Sequence, residues 1–136
     1  MKKLENRIVV VTGAANGMGK ATVKKVAEYG AKVIAIDFLP EVITYAKQLR
    51  NSGFEVTGYQ ADVREADRLK TIYKEVYAKY GKIDAVVNAA GVAVFTDFTD
   101  DSIDAEAHRE IDINYFGVWN SCRAVVPYMK DAKYGK

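Results

Sequence analysis

The spacing of apolar positions changes at regular intervals along the chain. Residues Arg7 to Thr12 hold the β-branched run Ile8-Val9-Val10-Val11, the pattern of a strand buried on both faces. From Gly17 to Tyr29 the apolar positions Met18, Ala21, Val23, Val26 and Ala27 follow a helical stripe. Gly30 stands where a helix end favours glycine. The unit then repeats. Lys32–Asp37 predicts a second strand, and Pro40 opens a helix that runs to about Ser52, with Gly53 behind it. Glu55–Gln60 is a weaker third strand. Glu65–Tyr80 is a third helix with Leu69, Ile72, Tyr73, Val76 and Tyr80 on one face, capped by Gly81. Asp84–Asn88 is a fourth strand. From Ser102 to about Met129 the pattern predicts one long helix with Ile111, Tyr115, Val118, Cys122 and Val125 as its apolar stripe, and Pro127 weakens or kinks its last turn.

Strand and helix in strict alternation with short connections imply parallel strands joined by right-handed crossovers. The expected architecture is α/β, a doubly wound sheet of βαβαβαβα order with strand order 3-2-1-4, in a single domain over residues 1–136. Tyr73, Tyr77 and Tyr80 recur at helical spacing and are read as core and rim rather than as an aromatic binding stripe.

Composition adds little to this picture but narrows the partners. The chain has 136 residues, 49% apolar and 28% charged, with a formal net charge of +2, values ordinary for one globular domain. Lys and Arg are dispersed, so the basic stripe that nucleic-acid binding requires is not there and no nucleic-acid partner is expected. No segment approaches the ~20 consecutive apolar residues that span a bilayer, and the stretch Met1-Lys2-Lys3-Leu4-Glu5-Asn6 has no apolar run. The expectation is a cytoplasmic protein with no membrane partner. Cys122 is the one cysteine, which fits a reducing compartment, and its apolar surroundings suggest a packed thiol. His108 has no ligand set around it in sequence, and no metal site is expected.

The chemistry lies in the turn after the first strand, Thr12-Gly13-Ala14-Ala15-Asn16-Gly17-Met18-Gly19. Glycines at a strand-to-helix junction let the chain turn tightly, let a pyrophosphate approach the main chain and let the helix pack close to the sheet. The helix start offers free N–H groups and a positive dipole end to phosphate. The spacing Gly-x3-Gly-x-Gly matches neither G-x-G-x-x-G nor the G-x4-G-K-[ST] phosphate loop, whose first glycine would fall at Ala14. Asp37, 18 residues after Gly19, ends the second strand, where a carboxylate can accept both ribose hydroxyls of an adenosine and repel a 2′-phosphate. Turn and acid together point to NAD rather than NADP, bound to a Rossmann-type domain.

Thr12-Gly-x3-Gly-x-Gly19, Asp62-Val63, Asn88-Ala89-Ala90-Gly91 and Asn114 together resemble the short-chain dehydrogenase/reductase family, over essentially the whole chain. The resemblance implies NAD as cofactor and a secondary alcohol or ketone as substrate. It implies that Gly13, Asn16, Gly17, Met18 and Gly19 line the pyrophosphate, and that Asp37 and Phe38 hold the adenosine ribose. Asp62 would accept from the adenine amino group with Val63 beside the ring, and Asn88, Ala89, Ala90 and Gly91 would run beneath the nicotinamide-side ribose. Asn114 matches the helical asparagine that helps to position a proton-relay water. Ala89 departs from the family, which often has a second asparagine there.

The resemblance also implies groups that are not in this chain. In the family a fifth strand ends near a serine and a Tyr-x-x-x-Lys pair follows, whereas no tyrosine here has a lysine four residues later. Without that tyrosine and serine there is neither a base for the alcohol proton nor a group to hold the substrate oxygen. The expectation is an NAD(H)-binding portion that is catalytically incompetent by itself, with a binding-only fragment as the alternative. The fourth strand is expected to present an exposed edge and the last helix an apolar patch, through which the chain self-associates.

Overall fold

The structure, a computed structural model, describes residues 3–136, so Met1 and Lys2 of the polar N-terminal stretch lie outside the described residues. Four parallel strands, β1 (Ile8–Thr12), β2 (Lys32–Asp37), β3 (Val56–Gln60) and β4 (Ala85–Asn88), form one sheet of order β3-β2-β1-β4. Between them run α1 (Gly17–Glu28), α2 (Glu41–Asn51) and α3 (Ala66–Tyr80). After β4 come α4 (Ile103–Ile111), a π-helical turn (Asp112–Phe116) and α5 (Gly117–Asp131).

The expected doubly wound topology is the one observed. Alternation along β1 divides its side chains between two cores. Ile8 and Val10 join Ile34 and Ile36 beneath Leu69, Ile72, Tyr73 and Val76 of α3 and Ala124 and Val125 of α5. Val9 and Val11 join Val33 and Ala35 beneath Val23 and Ala27 of α1 and Val42, Ala46 and Leu49 of α2. Central strands covered on both faces need apolar residues at every position, which explains the uninterrupted run. Tyr73 is buried while Tyr77 and Tyr80 sit half-buried against the same core, as core and rim.

The last helix departs from the expected pattern. Its buried residues are Gly117, Ser121, Ala124 and Val125, whereas Ile111 and Tyr115 of the expected stripe are exposed and Val118 and Cys122 are half-buried. Two physical reasons account for it. The π turn closes Gly117 N–H onto Asp112 C=O, and the extra residue in that turn rotates the two halves of the helix relative to one another. In addition α5 lies close against α3, where small side chains fit. The Tyr73 hydroxyl meets the Ser121 hydroxyl at 2.7 Å, and the Tyr77 and Tyr128 rings stack at 4.6 Å. Pro127 does not end the helix, which continues to Asp131.

The edge of β4 is partly occupied. Lys136 N–H donates to Asp84 C=O at 3.1 Å, and Val86 N–H donates to Lys136 C=O at 2.9 Å. Lys136 therefore takes a parallel ladder position beside β4, and among the described residues no strand pairs with β4 on that side.

Candidate functional site

The turn between β1 and α1 is built by backbone docking. Ala14 N–H donates to Ile36 C=O at 3.1 Å, and Ala15 N–H donates to Asp37 Oδ2 at 2.9 Å, so the turn is tied to the end of β2. Gly13 has φ +67°, and a Cβ there would stand 2.6 Å from the carbonyl group of Ala89. A Cβ on Gly19 would fall on the Gly13 carbonyl oxygen. A side chain at either place would push the turn open.

Beyond this packed side, the helix start is open. Gly17 lies at φ +51° with nothing within 4 Å of the place a Cβ would take. The first helical bond runs from Lys20 N–H to Asn16 C=O, so the N–H groups of Gly17, Met18 and Gly19 have no helical acceptor. The Asn16 side chain does not cap them, and the first turn holds no acidic residue. Donors without a helical acceptor, a positive dipole end and open space at Gly17 suit a phosphate group.

Asp37 is 8% exposed. Its Oδ2 is held by Ala15 and its Oδ1 accepts Leu39 N–H at 2.9 Å. A carboxylate offers about four acceptor positions, so each oxygen retains one. Phe38 beside it is exposed, and Gln60 Nε2 donates to its carbonyl at 3.0 Å.

On the next connection Asp62 is bound by Arg64. Asp62 Oδ1 accepts Arg64 N–H at 2.9 Å, and both carboxylate oxygens accept Arg64 Nε at 3.0 Å, with Nη2 bonding Oδ2 as well. The Arg64 side chain holds the Asp62 pKa below the ordinary carboxylate value against the opposing effect of burial.

After β4, Ala90 N–H donates to Thr12 Oγ1 at 3.3 Å. Asn114 in the π turn clamps Val92 twice, accepting its N–H at 2.8 Å and donating to its carbonyl at 2.7 Å. Asn88 turns inward. Its Nδ2 lies 3.8 Å from Cys122 Sγ, and its Oδ1 is buried with no partner among the described residues.

These segments enclose a cleft of about 390 Å³ at the carboxyl ends of the strands, where open α/β sheets bind ligands. Gly13, Asn16, Gly17, Met18 and Gly19 form one wall, with Asp37 and Phe38 next to them. Asp62 and Val63 form a second wall, and Ala89, Ala90 and Gly91 a third. Asn88 and Asn114 are the two sequence candidates that do not line it. The sequence reading missed Leu39, Ala61, Arg64, Val92, Arg109 and Ile113, which do. Adjacency to Asp37 and Asp62 could have found Leu39, Ala61 and Arg64. Nothing local marks Arg109 or Ile113, which arrive from another helix.

The profile of the short chain dehydrogenases matches residues 7–136. The chain belongs to the short-chain dehydrogenase/reductase family. It is 38% identical to Oxidoreductase UcpA of Escherichia coli (strain K12) over 136 residues, covering all of this chain and 51% of that protein. It is 36% identical to the 3-oxoacyl-[acyl-carrier-protein] reductase FabG of Thermotoga maritima, covering 98% of this chain and 54% of that one. Among solved structures, gox2181 superposes with a TM-score of 0.90 at 32% identity, covering 97% of this chain and 52% of its own. Carveol dehydrogenase from Mycobacterium avium in complex with NAD superposes with a TM-score of 0.87 at 26% identity, covering 97% and 52%. The chain spans about half the length of the curated relatives it matches.

Proposed function

We propose that this chain is the cofactor-binding portion of an NAD-dependent oxidoreductase that moves a hydride between a secondary alcohol or ketone and nicotinamide. The observation that carries this reading is Asp37, a buried carboxylate with a free acceptor position on each oxygen, next to the open helix start at Gly17. A diol suits those two positions. A 2′-phosphate would set its charge against the buried carboxylate, which is the reason for choosing NAD over NADP. The relative solved with NAD supports the choice of a nicotinamide dinucleotide.

In this reading Gly17, Met18 and Gly19 hold the pyrophosphate by their N–H groups, Asp37 and Phe38 hold the adenosine ribose, and Asp62 and Val63 meet the base. Ala89, Ala90 and Gly91 carry the nicotinamide-side ribose, with Asn88 Oδ1 buried behind them. The nicotinamide supplies the hydride acceptor or donor when bound. Asn114, with its amide already tied to Val92, fixes the segment leaving β4 and serves the relay water from there. The chain holds no Tyr-x-x-x-Lys, so by itself it binds cofactor and turns over no substrate.

The same reading includes self-association. Ile111, Tyr115, Trp119 and Val126 stand 53%, 59%, 50% and 52% exposed along the α4–α5 run. An apolar surface of this kind is covered in stable assemblies, and sedimentation at rising concentration is expected to show dimers. A monomer throughout would count against it.

The binding reading is tested by calorimetric titration of NAD and NADP into the chain. Saturable heat with NAD and weaker or no heat with NADP supports it. A folded protein that gives no heat with either removes it.

A further inference from the structure

The wall that meets the base is tied locally, by Glu65 N–H to Asp62 C=O at 3.0 Å and Ala66 N–H to Arg64 C=O at 3.2 Å, and it is also held from outside. Asp62, Val63 and Arg64 lie in the connection between β3 and α3, and the outside support comes from α5, more than 50 positions away in sequence. Asn120 Nδ2 donates to Val63 C=O at 3.1 Å and reaches Arg64 C=O at 3.4 Å. One turn earlier on the helix, a Cβ at Gly117 would stand 2.5 Å from Val63 Cγ2, so only glycine lets Val63 seat against α5. Val63 is buried, and Asn120 is half-buried between helix and connection. Arg64, whose carbonyl Asn120 reaches, is the residue that orients the Asp62 carboxylate through Nε, Nη2 and its own N–H.

From this chain of contacts we infer that Asn120 is a positioning residue for base recognition. It fixes the Val63–Arg64 backbone, and Arg64 fixes the Asp62 carboxylate with three N–H groups, the Nε–H shared by both oxygens. Of about four acceptor positions one is left, and it reads the exocyclic amino group of an adenine. This rests on the reading of the cleft as a dinucleotide site. An ionised carboxylate only accepts hydrogen bonds, so it favours a base with an amino group there and disfavours one with a carbonyl. The discrimination holds only while the carboxylate is held in one place.

The test compares NAD with its hypoxanthine analogue, in which a carbonyl replaces the amino group. The unaltered chain is expected to bind NAD about tenfold more tightly, the worth of one hydrogen bond to a charged acceptor. In Asn120→Asp and Asn120→Leu, which remove the donor with little change of volume, the ratio is expected to fall toward one. Destabilisation alone would weaken both ligands together and leave the ratio as it was. On the unaltered protein, the Asn120 side-chain amide resonance is expected to shift with adenosine monophosphate and not with nicotinamide mononucleotide. A ratio unchanged in both variants, or an Asn120 resonance that ignores adenosine monophosphate, overturns the inference while NAD binding stands. An unaltered chain that binds neither dinucleotide overturns the dinucleotide reading and this inference with it.

Discussion

Asp37 Oδ2 accepts the backbone N–H of Ala15 at 2.9 Å, so the acid that ends β2 also holds the turn that follows β1. The proposed ribose contact and the shape of the β1–α1 turn therefore depend on one side chain. Asp37→Ala leaves the buried Ala15 N–H unpaired, at a cost of about 1–3 kcal/mol, and removes the ribose acceptor as well. Urea denaturation should show the loss of stability and calorimetry the loss of NAD binding. Unchanged stability would mean that the turn holds itself.

Gly19→Ala places a methyl group on the Gly13 carbonyl oxygen. The expected result is a turn displaced from β4 and a loss of about 1–3 kcal/mol, as in other overpacked sites. NAD binding is lost with it, measured by the same titration. Gly17→Ala meets no neighbour at its Cβ but is strained by its positive φ, so it should weaken binding with a smaller loss of stability.

Asp84 anchors the opposite end of the sheet. Burial works to raise its pKa, but Ile8 N–H at 2.8 Å, Arg7 Nη1 at 2.8 Å and Lys82 Nζ at 3.1 Å outweigh burial and hold it below the usual carboxylate range. A lowered native pKa stabilises fully above the unfolded value of about 3.9, and the contribution disappears as pH falls through the native value. Urea midpoints at pH 7, 5 and 3 should be level between the first two and drop at the last. In Asp84→Asn that acid drop should shrink.

Burial raises the Tyr73 phenol pKa to about 12, against the opposing effect of its bond with Ser121. Tyr73→Phe leaves the Ser121 hydroxyl buried and alone, which costs about 1–3 kcal/mol. Tyr73→Phe with Ser121→Ala should recover part of that loss in a double-mutant cycle. Additive losses would show that the two hydroxyls do not interact.

Asn114→Ala removes both bonds to Val92. The segment from Gly91 to Ser102, which carries the exposed Phe95 and Phe98, should then be cut faster by chymotrypsin, with little change in the global denaturation midpoint. An unchanged cleavage rate would place the restraint elsewhere.

The sequence by itself determined the order of elements, the parallel sheet and most of the cleft. Buried parallel strands demand apolar residues at every position, as in Ile8–Val11, helix ends demand glycine for a positive φ, as at Gly53 and Gly81, and the β1–α1 turn demands it at Gly13 and Gly19, where a side chain has no room. Those are local demands, and local sequence records them. Only the tertiary structure decided which face of the last helix is buried, because a π turn at Asp112–Phe116 and the close approach of α5 to α3 depend on neighbours far along the chain. It also decided that Arg64 orients Asp62, that Asn120 holds the wall and that Arg109 and Ile113 reach the cleft. Hydrogen bonds across 57 positions leave no periodic trace, since each needs only one polar residue at each end.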